Sequence, residues 1–382
     1  MSTLELLERL TSCPTVSREP NIDLIEFVRE YLAERSIVSE LTLAENGTKA
    51  NLFATIGPPD VPGVLLSGHT DVVPVEGQPW SSDPFKLRLW QGRAYGRGTA
   101  DMKGFLASAL SFADRASRAR LATPVHLAFS HDEEIGCVGV RSLIDRLEGR
   151  HVLPRFGIVG EPTNLRIAVG HKGKIGARAT CCGVEGHSAL APKALNAIHL
   201  ACDFIGELRR RQDVLEIDGA RDPAYDVPYT TIHAGKISGG TALNIVPNAC
   251  TVDFEIRNVA SDDAGALLNS LMDSAAELTS RHRKRFPSAD IRIEVFNAYP
   301  GLATEVDDEV VTFAKSLVDD QDLMKVAFGT EGGIFSDQLG IPMVVCGPGS
   351  MDQGHKADEF ISLDQLDACD RMLDRLLAKL IE

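Results

Sequence analysis

The stretch that decides the fold covers residues 67–104 and reads SGHTDVVPVEGQPWSSDPFKLRLWQGRAYGRGTADMKG. It places His69 and Asp71 in a short glycine-bounded turn directly after an apolar strand. It also places Asp101 in a second glycine-bounded loop, which leads into an apolar-rich helix starting at Lys103. Histidine and carboxylate side chains are the usual ligands of zinc and similar divalent ions. The stretch therefore predicts a metal site at the end of a strand in an α/β sheet.

Three further segments place acidic or histidine side chains after predicted strands. Glu133 and Glu134 follow one apolar strand, Glu161 follows another, and His355 comes soon after a third. Because sites in open α/β sheets form beyond the carboxyl ends of the strands, we expect these side chains to meet those of the opening stretch. Each of them alone is more simply explained as a solvated loop residue. Adjacent carboxylates are costly unless a cation neutralises them, so the joint pattern indicates metal-assisted hydrolysis.

The overall composition limits the class of protein. A chain of 382 residues is long for one domain and favours two, and 44% hydrophobic with 24% charged residues is ordinary for a globular protein. The net charge of −15 argues against a nucleic-acid or anionic-membrane partner. The polar start leads us to expect no signal peptide, and no apolar run approaches the ~20 residues of a membrane span. The eight cysteines contain no Cys-x-x-Cys pair, so we expect a reduced, cytoplasmic protein.

The order of predicted elements indicates two domains, one inserted into the other. Strands and helices alternate over residues 1–173, and the same pattern resumes over 295–382. We therefore predict an α/β catalytic domain with a mixed, largely parallel sheet from these two segments. Residues 174–294 instead follow the order β-α-β-β-α-β, which is typical of a ferredoxin-like α+β domain.

Five motifs that occur in order along the chain together resemble one family. They are Ser67-Gly-His69-Thr-Asp71-Val-Val-Pro74, Gly96-Arg-Gly-Thr-Ala-Asp101-Met-Lys-Gly104, Asp132-Glu133-Glu134-Ile-Gly136, Gly160-Glu161-Pro162-Thr163 and Gly354-His355-Lys356. The chain resembles, over essentially its whole length, the di-zinc metallopeptidase family that includes acetylornithine deacetylase, succinyl-diaminopimelate desuccinylase and aminoacylase. The resemblance implies a zinc-exopeptidase-like catalytic domain and an inserted domain that serves as a lid and in dimerisation.

The resemblance also implies a set of metal ligands. One divalent ion would be held by His69, Asp101 and Glu161. A second would be held by His355, Glu134 and the shared Asp101, which bridges the two. The ions would be Zn²⁺, although Co²⁺ or manganese can occupy sites made of histidine and carboxylate ligands. Two such ions close together can acidify a shared water and stabilise an anionic intermediate.

Further roles follow from the same resemblance. Asp71 would hold the ring of His69 in place, and Glu133 would act as general base and then as general acid. In the inserted domain, His187 would donate to the oxyanion in the active site of a partner subunit. Asn244 and Arg257 would contact the carboxylate of an N-acyl amino acid, since an arginine fork suits that group. We therefore expect a homodimer formed through the lid domain.

Three later segments resemble the acetylornithine deacetylase branch of the family. They are Phe328-Gly-Thr-Glu331-Gly-Gly333, Val344-Val-Cys346-Gly-Pro-Gly349-Ser and His355-Lys-Ala-Asp358-Glu-Phe360. The resemblance implies removal of the acetyl group from α-N-acetyl-L-ornithine, with Glu331 or Asp337 facing the cationic side chain. Ala357 and Gly354 depart from the residues common in that branch. The alternatives are another N-acyl-amino-acid deacylase, such as an acetylcitrulline deacetylase, a broad aminoacylase or the desuccinylase; a dipeptidase; and a non-catalytic binding module stabilised by metal.

Overall fold

The computed structural model describes residues 1–381, which form two compact units. The first unit contains residues 1–171, 302–326 and those from Thr330 onward. The second unit contains residues 172–301 and 327–329, whereas the sequence predicted an inserted domain over 174–294. Within the described residues, no helix is long and apolar enough to cross a membrane.

The first unit is built from helices and strands that alternate along the chain. Its helices are α1 (Thr3–Thr11), α2 (Ile22–Ala33), α3 (Lys103–Ala116), α4 (Val140–Glu148), α7 (Glu309–Lys315), α8 (Gly332–Leu339) and α9 (Leu363–Ile381). Its strands are β1 (Ser39–Leu43), β2 (Ala50–Ile56), β3 (Val64–His69), β4 (Arg88–Trp90), β5 (Arg93–Tyr95), β6 (Val125–Ser130), β7 (Phe156–Pro162), β8 (Ile167–His171), β15 (Leu302–Ala303), β16 (Leu323–Val326), β17 (Met343–Gly347) and β18 (Phe360–Ser362).

The central sheet of the first unit is mixed and parallel at its centre. Its strand order is β1-β2-β6-β3-β7-β17-β8-β15, with β16 paired to β8. Strands β6, β3, β7 and β17 run parallel, while the flanking pairs β1–β2, β2–β6 and β8–β15 are antiparallel. The parallel strands are buried along their whole length, as expected where both faces of a sheet are covered. Their carboxyl ends therefore meet at one edge of the sheet.

Helix α3 packs against the strands that form this edge. Its sequence KGFLASALSFADRA is apolar around most of its circumference, and nearly all of its residues are buried. It packs against α1 and α9 and also contacts β3 and β7. Because α3 starts directly after the Asp101 loop, the buried helix holds the end of that loop in place.

The second unit is a four-stranded antiparallel sheet with two helices. Its elements are β9 (Gly173–Cys182), β10 (Gly186–His187), a 3₁₀ helix (Ser188–Lys193), α5 (Ala197–Asp218), β11 (Thr231–Gly239), β12 (Ile245–Val246), β13 (Ala249–Asn258), α6 (Ala264–Arg283) and β14 (Asp290–Tyr299). The strand order is β11-β13-β9-β14, and a separate short pair joins β10 to β12. This is the split β-α-β order of the ferredoxin-like fold, so the predicted fold class is confirmed.

Gly160 in β7 gives a direct test of how tightly the edge is packed. A Cβ atom built at Gly160 would overlap the ring of Phe105 in α3. We expect Gly160→Ala to cost about 1–3 kcal/mol of unfolding free energy, because neither the strand nor the buried ring has room to move. Chemical denaturation would measure the loss. As a control, Gly149→Ala places its Cβ no nearer than 4.0 Å to another atom and should leave stability almost unchanged; equal losses would contradict this packing.

Candidate active site

The carboxyl ends of three neighbouring parallel strands deliver the acidic and histidine side chains of the first unit. His69 is the last residue of β3, and Glu161 is the penultimate residue of β7. Glu133 and Glu134 follow the end of β6, which pairs with β3. These side chains therefore form a cluster, because neighbouring parallel strands end at the same edge of the sheet.

Asp101 lies between the two histidines of the cluster. Its Oδ1 is 3.1 Å from His69 Nε2, and its Oδ2 is 3.2 Å from His355 Nε2. His69 Nε2 is also 3.4 Å from a Glu161 oxygen, and His355 Nε2 is 3.0 Å from a Glu134 oxygen. The five residues assigned to metal by the family resemblance therefore come together, with Asp101 between the two halves.

Two overlapping groups of side chains have the spacing needed to hold a cation. His69, Glu133 and Glu161 form one group, and His69, Asp101 and Glu134 form the other. The side chains of Asp101, Glu134 and Glu161 are only 5%, 8% and 5% exposed. Several carboxylates buried this closely repel each other unless protons or cations neutralise them, so the donor set fits a divalent metal.

The pKa values show this repulsion. Burial and the charge of Asp101 raise the pKa of Glu134 to about 7 and that of Glu161 to about 8. Burial and the neighbouring Glu161 raise the pKa of Glu133 well above its usual value. Hydrogen bonds to Asp101 and Glu134 raise the pKa of His355 to about 10. Protons on these groups occupy the place that a cation would take.

Asp71 contacts the cluster differently from the expected arrangement. The ring Nδ1 of His69 lies 2.9 Å from the backbone oxygen of Asp71 and 3.5 Å from its carboxylate. The carboxylate instead accepts hydrogen bonds from the backbone N–H groups of Glu133 (3.0 Å) and Glu134 (3.3 Å) and from the hydroxyl of Ser17 (2.8 Å). Asp71 thus aligns the His69 ring through its main chain and the Glu133–Glu134 loop through its side chain.

Two residues that the sequence reasoning missed support Glu133. The thiol of Cys137 donates to Glu133 Oε1 at 3.2 Å, and Cys137 is fully buried. On the preceding side, Asp132 has a left-handed backbone and accepts from Lys49 Nζ at 2.7 Å and from the Arg18 N–H at 2.7 Å. Cys137 lies only four residues after Glu133, whereas the partners of Asp132 are distant in the chain and no local pattern indicates them.

Glu331 lies in the first unit, but its carboxylate is already engaged. It is 1% exposed; one oxygen accepts from Ser67 at 3.1 Å and the other from Ser130. These serines lie near the ends of β3 and β6, so Glu331 joins the two strands that carry His69 and the Glu133 loop. Asp337 is exposed on α8. Each carboxylate oxygen thus already accepts one hydrogen bond, and the expected contact of Glu331 with a cationic side chain stays a prediction.

The remaining expected site residues lie in the second unit, in two separate places. His187 and Asn244 are neighbours: His187 pairs with Ile245, and the Ser188 N–H donates to the Asn244 carbonyl at 3.0 Å. Arg257 is near the far end of β13, where it donates to Tyr299 at 3.0 Å and to Glu255 at 3.2 Å. The eight residue steps along β13 from Ala249 to Arg257 span roughly 26 Å.

Comparison with known proteins agrees with this geometry. Residues 65–379 match the family described as Peptidase family M20/M25/M40. Acetylornithine deacetylase from Pasteurella multocida is 33% identical, with 99% of this chain and 98% of the relative covered. The same enzyme from Proteus mirabilis is 31% identical, with 98% and 95% covered.

A solved structure gives the same result for the fold. An M20 family metallo-carboxypeptidase from Sulfolobus solfataricus superposes with a TM-score of 0.78 at 20% identity, and 100% of this chain and 99% of that chain are covered. The family match over most of the chain and the relatives at more than 30% identity show that this chain belongs to peptidase family M20/M25/M40 and is a metal-dependent amidohydrolase.

Proposed function

We propose that this protein removes the acetyl group from α-N-acetyl-L-ornithine, giving L-ornithine and acetate. The observation that carries the proposal is the buried Glu133 beside the cluster centred on Asp101, in a chain whose relatives named acetylornithine deacetylase match it almost from end to end. We place the reaction in arginine biosynthesis and in the cytoplasm. All eight cysteines are free thiols, as in proteins of reducing compartments.

We assign the metal site to two divalent ions, with zinc preferred and cobalt as the alternative. His69 and Glu161 would hold one ion, His355 and Glu134 the other, and Asp101 both. The two separate oxygens of Asp101, each directed at one histidine, support this assignment. When bound, such ions polarise the amide carbonyl and lower the pKa of water.

The chain itself supplies the proton transfers. Glu133 takes a proton from the attacking water and delivers it to the leaving α-amine, which would otherwise have to leave as a strongly basic anion. The Cys137 thiol and the Asp71 carboxylate hold Glu133 through its side chain and its backbone. Burial raises the pKa of Glu133, and a more basic carboxylate is better suited to accept a proton from water and then pass it on.

The second unit supplies the groups that bind substrate. Arg257, held by Tyr299 and Glu255, offers a guanidinium to the substrate carboxylate. His187 donates to the oxyanion, and Asn244 beside it contacts the substrate. Arg257 and Ala249 lie roughly 26 Å apart along β13, and Asn244 precedes the Ala249 end of that strand, so we expect that one amino-acid substrate does not reach Arg257 and the His187–Asn244 pair of the same subunit.

A homodimer resolves this separation. His187 and Asn244 would act in the site of the partner subunit, and the lid domain would form the dimer contact. The surface around them supports this: Leu190, Leu243 and Ile245 are 52%, 101% and 43% exposed, which is unusual for a cluster of large apolar side chains.

A broader N-acyl-amino-acid deacylase is the second candidate function. It is favoured by Glu331, whose two oxygens are taken up by Ser67 and Ser130 rather than left to meet an ornithine ammonium group. Such an enzyme would accept acetylcitrulline or acetylmethionine, or a succinylated substrate, as readily as acetylornithine.

A panel of N-acyl amino acids with added zinc or cobalt tests the substrate. The proposed substrate predicts a kcat/KM for acetylornithine at least about tenfold above that for acetylmethionine. Glu133→Gln should lower kcat on every substrate by about 10²–10⁴-fold. Equal rates across the panel would contradict the proposed substrate and favour the broader deacylase function. An active Glu133→Gln variant would refute the mechanism.

Mixed dimers test the shared site. Glu133→Gln disables a subunit's own chemistry, whereas His187→Ala disables the site of its partner. Each variant alone should be nearly inactive, but co-expression in equal amounts should restore about a quarter of the wild-type activity, since half of the dimers then contain one complete site. Co-expressed Glu133→Gln and His355→Ala subunits are the control: both lesions act in the subunit's own site, so no dimer contains a complete site and no activity should return. If co-expression of Glu133→Gln and His187→Ala subunits restores no activity, His187 does not act in the site of the partner subunit.

The effect of zinc on stability should depend on pH. The pKa values of Glu134 and Glu161 are raised to about 7 and about 8, so their protonated forms stabilise the metal-free fold, and this stability is lost as pH rises through those values. Zinc replaces the protons, so we expect it to raise the melting temperature more at about pH 8 than at about pH 6. Glu161→Gln should reduce the difference between the zinc effects at the two pH values. Glu309→Gln is the control, because Glu309 forms an exposed ion pair, and it should leave that difference unchanged. A zinc effect independent of pH would contradict the assignment.

A further inference from the structure

Glu359 is a buried carboxylate that lies just before β18, four residues after His355 and outside the proposed ligand set. It is 1% exposed, as is Arg97, whose Nη1 donates to Glu359 Oε2 at 2.7 Å. Beyond this ion pair, both Glu359 oxygens accept hydrogen bonds from main-chain N–H groups. A buried carboxylate with this many donors has a strongly defined position.

All three main-chain donors belong to the loop that ends at Asp101. Gly98 N–H donates to Oε2 at 3.0 Å, and the N–H groups of Ala100 and Asp101 donate to Oε1 at 2.9 and 3.1 Å. The carboxylate of Glu359 therefore fixes the conformation of this loop by accepting its main-chain hydrogen bonds. It holds the backbone of Asp101 directly, so it determines where the two oxygens of the Asp101 side chain can lie.

The same carboxylate is connected to His355 through two side chains. Arg97 Nη2 donates to Gln78 Oε1 at 2.5 Å, and Gln78 Nε2 donates to the carbonyl of His355 at 3.0 Å. The path Glu359–Arg97–Gln78–His355 crosses from the Asp101 loop to the His355 loop. These loops are more than 250 residues apart in the chain, so this path adds to the pairing of β5 with β18 in keeping Asp101 and His355 close together.

We infer that Glu359 is a positioning residue that aligns Asp101 and His355, so that the two ions bind as a pair. The inference rests on the metal assignment of the proposed function but not on its substrate. Replacing the carboxylate by an amide leaves one acceptor oxygen for four donors, and at least one buried N–H group loses its partner. Residues that orient metal ligands in this way change metal affinity by about 10–100-fold when they are replaced.

Zinc binding to the full-length protein, followed by competition with a chromogenic chelator, tests the inference. We expect Glu359→Gln to weaken zinc binding by about 10–100-fold. Asp358→Asn is the matched control: it neutralises the adjacent carboxylate, which contacts Ser81 and not the Asp101 loop, and should bind zinc like the wild type. Gln78→Ala should weaken only the ion held by His355, because it breaks the connection beyond Arg97.

The outcomes separate a positioning role from a purely structural one. If Glu359→Gln lowers the melting temperature of the metal-free protein but binds both zinc ions as Asp358→Asn does, the inference is overturned. If Glu359→Gln does not fold, Gln78→Ala decides, and wild-type zinc binding by that variant overturns it. A wild-type protein that binds no zinc also overturns it. Wild-type protein that binds two zinc ions without deacetylating acetylornithine would refute the proposed substrate and leave this inference standing.

Discussion

The contact on which the rest of the site depends is the carboxylate of Asp101, placed between His69 and His355. Each of its oxygens faces one histidine, at 3.1 and 3.2 Å. Glu161 joins on the His69 side and Glu134 on the His355 side. Because one side chain belongs to both halves, any displacement of the Asp101 loop disturbs both, and much of the surrounding structure serves to hold that loop.

The cost of this arrangement is electrostatic. Several carboxylates with little access to water raise each other's pKa values, and the protein tolerates this only because protons or metal ions neutralise the cluster. The neighbouring acids Asp71, Asp132 and Glu359 differ from this cluster, since each accepts hydrogen bonds from main-chain N–H groups. The acidic residues here thus have two functions. The carboxylates of the cluster can bind cations, and the neighbouring acids fix the conformation of the loops.

Much of the fold could be predicted from periodicity and order alone. Alternating strands and helices indicated the mixed sheet, and the β-α-β-β-α-β order indicated the ferredoxin-like unit, since both patterns are local in the sequence. The small sheet of β4, β5 and β18 and the short pair β10–β12 were missed. Their strands are two or three residues long, too short for periodicity, and β18 pairs with a strand far away in the chain.

For the site, the sequence by itself determined which residue types follow which strand ends, and therefore that His69, Asp101, Glu133, Glu134 and Glu161 could share one edge. Only the tertiary structure decided their partners. It turned the Asp71 carboxylate to the Glu133–Glu134 backbone, tied Glu331 to two serines, and separated Arg257 from His187 along β13. The physical reason is that hydrogen bonds of buried side chains depend on distances between strands and loops remote in sequence, which no local pattern records.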